Sequence, residues 1–266
     1  RQYAEELLAS SPERYQAMKR RHADHYASVV VVALPLLDRH HSADLAAAIT
    51  IEYDNLRAAL QWSFSIDGDR RLGHRLAGAL WRYWGQTWQL SEAEHWWREA
   101  LAGPEPPESQ EWGQVLNGAG TFMYVAGQLE RGRELLDRAA GVLGRTGDRV
   151  HQVMALSTLA HISCTQQRFE AALEYAEHAA RIARTLPEAW PLCHAISNGL
   201  SIVHKSLGQF DLAEACLDEA LAKAQQTGAD PWGVASVARA RARLAIDRGH
   251  LDGARGRTVV AIGAVR

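Results

Sequence analysis

Apolar residues recur three and four positions apart along most of the chain, the spacing of amphipathic helices, and essentially no strand is expected. Five segments repeat that pattern in register: WQLSEAEHWWREAL (88–101), GQLERGRELLDRAA (127–140), QRFEAALEYAEHAA (167–180), GQFDLAEACLDEAL (208–221) and GHLDGARGRTVVAI (249–262). Each opens on a turn residue and places a bulky apolar side chain two positions on. A small residue follows, at Ala93, Gly132, Ala172, Ala213 and Ala254, and another seven later, at Ala100, Ala139, Ala179, Ala220 and Ala261. The first set is spaced by 39, 40, 41 and 41 residues. Upstream of each turn lies a second helix-periodic stretch, such as Leu116, Ala119, Gly120 and Met123, or Leu156, Leu159 and Ala160. The pattern describes two helices joined by a tight turn. Small residues let the pair approach closely and larger apolar ones fill the gap. Gly127, Gly208 and Gly249 stand where the turn needs a permissive backbone.

The repeat resembles the tetratricopeptide pattern, with a period longer than the usual ~34 residues. One hairpin cannot bury its own apolar face, so neighbours must stack. The prediction is an all-α chain: a right-handed superhelical solenoid of tetratricopeptide-like hairpins with a period of about 40 residues, preceded by a helical lead-in. The lead-in covers residues 1–70 and the solenoid 71–266, with hairpins at 71–102, 112–145, 150–185, 192–227 and 232–264. Loop signals separate them at GPEPPES (103–109), TGD (146–148), TLPEAWP (185–191) and TGADP (227–231). In the lead-in, Pro12 follows a serine cap, and Tyr15, Met18, His22, Tyr26 and Val29 form one stripe. Ile49, Tyr53, Leu56, Leu60 and Phe64 form another, closed by DGD (67–69).

The lead-in carries the most specific text: RQYAEELL, RRHADHY, EYDNLRAALQWS, GDRRLGHRLAGALWRYW and LSEAEHWWREAL, in that order. These resemble the region that follows the nucleotide-binding and winged-helix modules of bacterial STAND-type regulators, the AfsR-like and LuxR-type proteins common in actinomycetes. The resemblance runs over roughly residues 1 to 140 by motif and over the rest by repeat type. It implies an ATPase switch upstream, often with a DNA-binding module at one end of the parent chain. The opening RQYAEELL, without an initiator methionine, is read accordingly as part of something longer. Trp88 departs from the family pattern, where glycine is usual, as does Arg241 at a normally apolar position.

Composition narrows the chemistry. The 266 residues are 47% hydrophobic and 23% charged, enough for one large domain or two small ones. A formal net charge of −2 argues against a dedicated nucleic-acid or anionic-membrane surface, and the longest apolar runs are too short to span a bilayer. Cys164, Cys193 and Cys216 form no CxxC pair, which suits a reducing, cytoplasmic setting. No GxxxxGK[ST] phosphate loop occurs, so no nucleotide hydrolysis is expected, and no cofactor is called for. His22 and His25 with Asp24, or His40–His41, suggest a metal site only weakly, because a further ligand at suitable spacing is lacking. His161 and Cys164 share a helical face, but a nucleophile pair also needs an orienting group and an oxyanion hole. Arg239, Arg241, Arg243, Arg248, Arg255 and Arg257 run around their helices rather than along one stripe, so a solvated terminal helix, or a surface that packs on a further neighbour, is the simpler reading.

Binding on the concave face remains. The first helix of each hairpin lines that face, and stacking sets equivalent residues in columns. One column is Gly78, Asn117, Ser157, Asn198 and Arg239; the next is Arg82, Thr121, His161, Ile202 and Arg243; the third is Gly85, Tyr124, Cys164, Lys205 and Ile246. Their polar and basic members, Arg82, Asn117, Thr121, Tyr124, Ser157, His161, Asn198, Lys205, Arg239 and Arg243, are the candidate partner groove. The expected role is a non-catalytic sensor or arm that contacts the ATPase and winged-helix modules of its parent chain, or a peptide or small effector. A free-standing scaffold or peptide receptor is the alternative. Direct nucleic-acid or membrane contact is not expected; association between copies is open. The five tryptophans of residues 81–97 are sorted as core: Trp81, Trp84 and Trp97 in the hairpin seam, with Trp96 and Trp88 covering the joint with Trp62.

Overall fold

The computed structural model describes residues 11–40, 43–227 and 231–249. RQYAEELL, the segment expected to form the second helix of the last hairpin with Ala254, Ala261, Arg255 and Arg257, and the side chains of His40 and His41 lie outside the described residues. Every regular element among the described residues is a helix. The chain forms two compact units that divide between Pro107 and Glu108, so the lead-in helices share a unit with the first hairpin.

In the first unit, α1 spans Pro12–His40, α2 Ala43–Ile51, α3 Tyr53–Ser63, α4 Arg70–Gln86 and α5 Leu90–Leu101. The buried face of α1 is Ala23, Ala27 and Val30, whereas Met18 and Val29 of the expected stripe are exposed. Two alanines at the contact let α1 lie close against α3 and α4, which rotates the larger side chains outward. The second stripe holds its face through Ile49, Tyr53, Leu56 and Leu60, but the helix breaks between Ile51 and Tyr53. Asp69 accepts from the Arg71 backbone N–H and caps α4. Next to the cap, Arg70 donates to the carbonyls of Glu99 and Ala102, and one turn on His74 Nε2 donates to that of Ala100, 3.1 Å away. The first helix of the hairpin thereby satisfies the open carbonyl end of the second.

The tryptophans divide between core and surface. Trp84 and Trp97 are fully buried and meet edge to face, with ring centroids 5.1 Å apart. The Trp84 indole donates to the Tyr53 hydroxyl at 2.6 Å. Burial holds that phenol far above its ordinary titration range, partly offset by this bond. Trp96 is buried as well: it stacks on Phe64 and donates to Glu92, which also receives Arg57. Trp62 donates instead to Gln16 of α1. Trp88 covers no joint, being 77% exposed, and Trp81 is only half-buried. Trp88 is turned outward by its backbone, which has φ +56°.

That value belongs to a series. Trp88, Gly127, Gln167, Gly208 and Gly249 all have positive φ, between 56° and 79°, and they fall at the same place in successive turns. The turn demands a left-handed residue at each repeat. Three repeats meet the demand with glycine and two with an L side chain.

In the second unit the hairpins are α6 (Gln110–Val125) with α7 (Leu129–Thr146), α8 (Arg149–Thr165) with α9 (Phe169–Arg184), and α10 with α11 (Phe210–Gln226); α12 (Pro231–Asp247) follows. Ser109 and Asp148 cap α6 and α8 through their side chains. Helix α10 is continuous from Trp190 to Ser206 but contains one π turn, Ile196–Leu200. The repeat spacing widens from 40 to 41 residues across this helix, and a π turn is how a helix absorbs one extra residue. Close approach inside the hairpins is real. A Cβ on Gly132 would sit 3.0 Å from the Gly120 carbonyl oxygen and 3.0 Å from the Tyr124 nitrogen. Ala172, Ala176, Ala180, Ala160, Leu200 and Val203 form one core cluster across the next repeats.

Candidate functional site

The first helices of the second unit, α6, α8, α10 and α12, pack successively side by side and form a row. Burial along each changes near its middle. In α6, residues 115–120 are buried on every side, whereas Thr121, Phe122 and Tyr124 reach the surface. The same opening occurs at Thr158, His161 and Cys164 in α8, and at Ile202 and Lys205 in α10. The expected first column is therefore largely core. Asn117 and Ser157 are 0% exposed and cannot face a partner, a correction to their expected place in the groove. The Ser157 hydroxyl satisfies itself on the Val153 carbonyl, while neither Asn117 side-chain polar atom has a protein partner. Asn198 is half-buried and bonds His194 within its own helix. Arg239 alone of that column's polar members is exposed. Arg82 belongs to the first unit, where its guanidinium lies over the Trp81 ring at 5.3 Å.

The other two columns converge. Tyr124 Oη and His161 Nδ1 are hydrogen-bonded at 3.2 Å, with the rings 5.4 Å apart. Burial, then the charges of Arg243 and Lys205, hold His161 below its ordinary value and so keep it neutral. Lys205 pairs with Asp247 of α12 at 2.7 Å. Burial pushes the Cys164 thiol up, against the smaller opposing effects of Ser206 and Lys205. A thiol held protonated beside a histidine already bonded to tyrosine is not an activated nucleophile. Among the described residues no group of three His, Cys, Asp or Glu side chains is placed to hold a metal ion. Likewise, no described helix is long and apolar enough to cross a membrane.

The arginines of the last described helix and its turn have two fates. Arg241 pairs with Glu214 and Asp218, and Arg248 with Asp211, all on α11. The arginine at an apolar position is thus an inter-helix ion pair. Arg239 and Arg243 have neither a hydrogen bond nor an ion pair among the described residues. Surrounding protein atoms and the like charge of Arg243 pull Arg239 below the usual guanidinium value.

A signal for this surface was present in the sequence and lies in the acids. The first helices α6, α8, α10 and α12 carry two carboxylates, Glu111 and Asp247, against five Arg and Lys. The second helices α7, α9 and α11 carry ten carboxylates against seven Arg and Lys. Charge is segregated between the rows, which net charge over the whole chain conceals.

This architecture is an all-α helical repeat, and residues 153–186 match the tetratricopeptide repeat family. Sequence comparison with curated proteins finds no match. Among solved structures, the chain is similar to the apo form of RapI, with 13% identity, a TM-score of 0.65, and coverage of 98% of this chain and 93% of that one. It is similar to a Rap protein complexed with competence and sporulation factor, at 15% identity, TM-score 0.58, and coverage of 91% and 78%. PilF of Pseudomonas aeruginosa gives 18% identity, TM-score 0.53, and coverage of 90% of each chain. At these identities the likeness establishes the fold: a tetratricopeptide-type repeat region.

Proposed function

We propose that this chain is the sensor or arm region of a bacterial STAND-type transcriptional regulator, acting in the cytoplasm by contact rather than by catalysis. The observation that carries the recognition role is the row of first helices. Past their midpoints they expose Thr121, Tyr124, His161, Lys205, Arg239 and Arg243, a polar and basic stripe that few local carboxylates neutralise. Such a surface suits an acidic effector or an acidic face of the ATPase or winged-helix module. Asn198 is a proposed contact at its margin, and Arg82 is proposed as a contact of the first unit by itself. The regulator context is supported by the resemblance of the lead-in text from RRHADHY to LSEAEHWWREAL.

The test is the reading frame. The gene is expected to encode a GxxxxGK[ST] loop and a winged helix upstream of Arg1. A start codon a few residues upstream instead would reject the regulator. It would favour the second reading, a free-standing receptor, which draws support from the near end-to-end likeness to RapI and from a Rap neighbour complexed with competence and sporulation factor.

A further inference from the structure

We infer that the end of the row formed by α10 and α12 is a subsite for a phosphomonoester group, held by Arg239 and Arg243. The inference rests on the reading of the row as the recognition surface. Arg239 and Arg243 are one turn apart on α12, both are exposed, and the charge of Arg243 acts on Arg239. Like charges at that spacing repel. Here the nearest acid of the row, Asp247, is taken by Lys205. Of the carboxylates of α11, Glu214 and Asp218 are taken by Arg241, Asp211 by Arg248 and Glu219 by Arg184. Two positive charges are therefore left without partners among the described residues on one face, where His161 of α8 feels the charge of Arg243 and bonds Tyr124 of α6.

The charge selects the ligand. One carboxylate is saturated by one guanidinium fork and would leave the second arginine unneutralised. A phosphomonoester carries about −1.5 to −2 charges at neutral pH and three acceptor oxygens, enough for both forks. The group can come from a phosphorylated peptide segment or from a small phosphorylated effector; the recognising chemistry is the same.

Calorimetry on the whole chain at constant ionic strength tests this, with inorganic phosphate, O-phosphoserine, a short phosphoserine peptide, and the same peptide with glutamate in place of phosphoserine. Binding of any phosphorylated probe is expected to weaken about tenfold or more in Arg239→Gln/Arg243→Gln, whereas Arg248→Gln, which loses an arginine already paired, leaves it unchanged. Circular dichroism establishes that the double variant is folded. Binding by phosphate or phosphoserine alone assigns a small effector; binding confined to the phosphopeptide assigns a peptide. If the glutamate peptide binds as well as the phosphorylated one and is lost in the double variant, the phosphoryl assignment fails while the recognition surface stands. If no anionic probe binds, or if the double variant binds them unchanged, the subsite is wrong.

Discussion

At the scale of single residues, position along a helix says little about cost until burial is known. Trp96 and Trp97 are adjacent, so one would be expected to face the seam and the other to turn away. Both are buried, because Phe64 and Glu92 receive the side of the helix that Trp97 leaves. Trp97→Ala and Trp96→Ala are each expected to cost about 3–5 kcal/mol. Trp88→Ala, at an exposed site, should cost less than about 0.5 kcal/mol from lost contacts. Urea melts of the three variants separate these outcomes, and a small loss for Trp96→Ala would return it to the surface. Asn117 makes the opposite point. Its amide is buried without a protein partner, which costs about 1–3 kcal/mol in a core. Asn117→Ala is therefore expected to lie within about 1 kcal/mol of the parent or above it. Leu116→Ala next to it should lose about 2–5 kcal/mol.

At the scale of elements, the hairpin turn and the hairpin seam impose separate demands. The turn needs a left-handed residue, which costs an L side chain about 1–2 kcal/mol. Replacing Trp88 or Gln167 with glycine relieves this and gives back part of it as unfolded-chain entropy. Each variant should gain about 0.5–1 kcal/mol in thermal or urea unfolding. The seam needs closeness. Helix propensity favours Gly132→Ala by about 1 kcal/mol, but its new Cβ would meet backbone atoms at 3.0 Å that cannot move aside. A net loss of about 1–2 kcal/mol is expected. Gly141→Ala in the same helix meets only the flexible end of Arg145, so that variant should be stabilised. Equal responses at the two glycines would show that propensity, not contact, governs the helix.

At the scale of the whole chain, three histidines make stability depend on mild acid. Burial, the first cause in each case, holds His22, His74 and His161 below their ordinary value of 6.5. Below that value the unfolded chain takes up protons that the folded one resists, so stability falls as pH drops through about 6.5 and continues to fall toward the lower folded values. The carboxylates Glu108, Glu130 and Glu219 are held low by arginine partners, and their contribution is lost only in stronger acid, beneath the ordinary 4.5. The window between is thus assigned to histidine. His74→Gln, which retains a donor toward the Ala100 carbonyl, should flatten the fall in urea midpoint between about pH 7 and pH 5.5. An unchanged slope would remove His74 from the account.

The hairpins, their turns and the small residues of the seam were legible from the sequence, because each is written within about one helical turn of itself. Gly127, Gly208 and Gly249 announced the turns, and Ala93, Gly132, Ala172 and Ala213 announced the close contacts. The buried face of α1 was misjudged by one position, since three alanine and valine side chains carry too little hydrophobic signal beside Met18 and Tyr26. The candidate groove was legible only in part. Asn117 and Thr121 look alike on a helical wheel, yet one is sealed and the other reaches the surface. That difference is made by the helices packed on either side of α6. Pairing is likewise decided at a distance: Arg248 finds Asp211, 37 residues away, while Arg243, five residues earlier, finds no acid among the described residues. Periodicity is a property of neighbours along the chain. Exposure and charge compensation are properties of neighbours in space, and in stacked hairpins those lie a whole repeat apart.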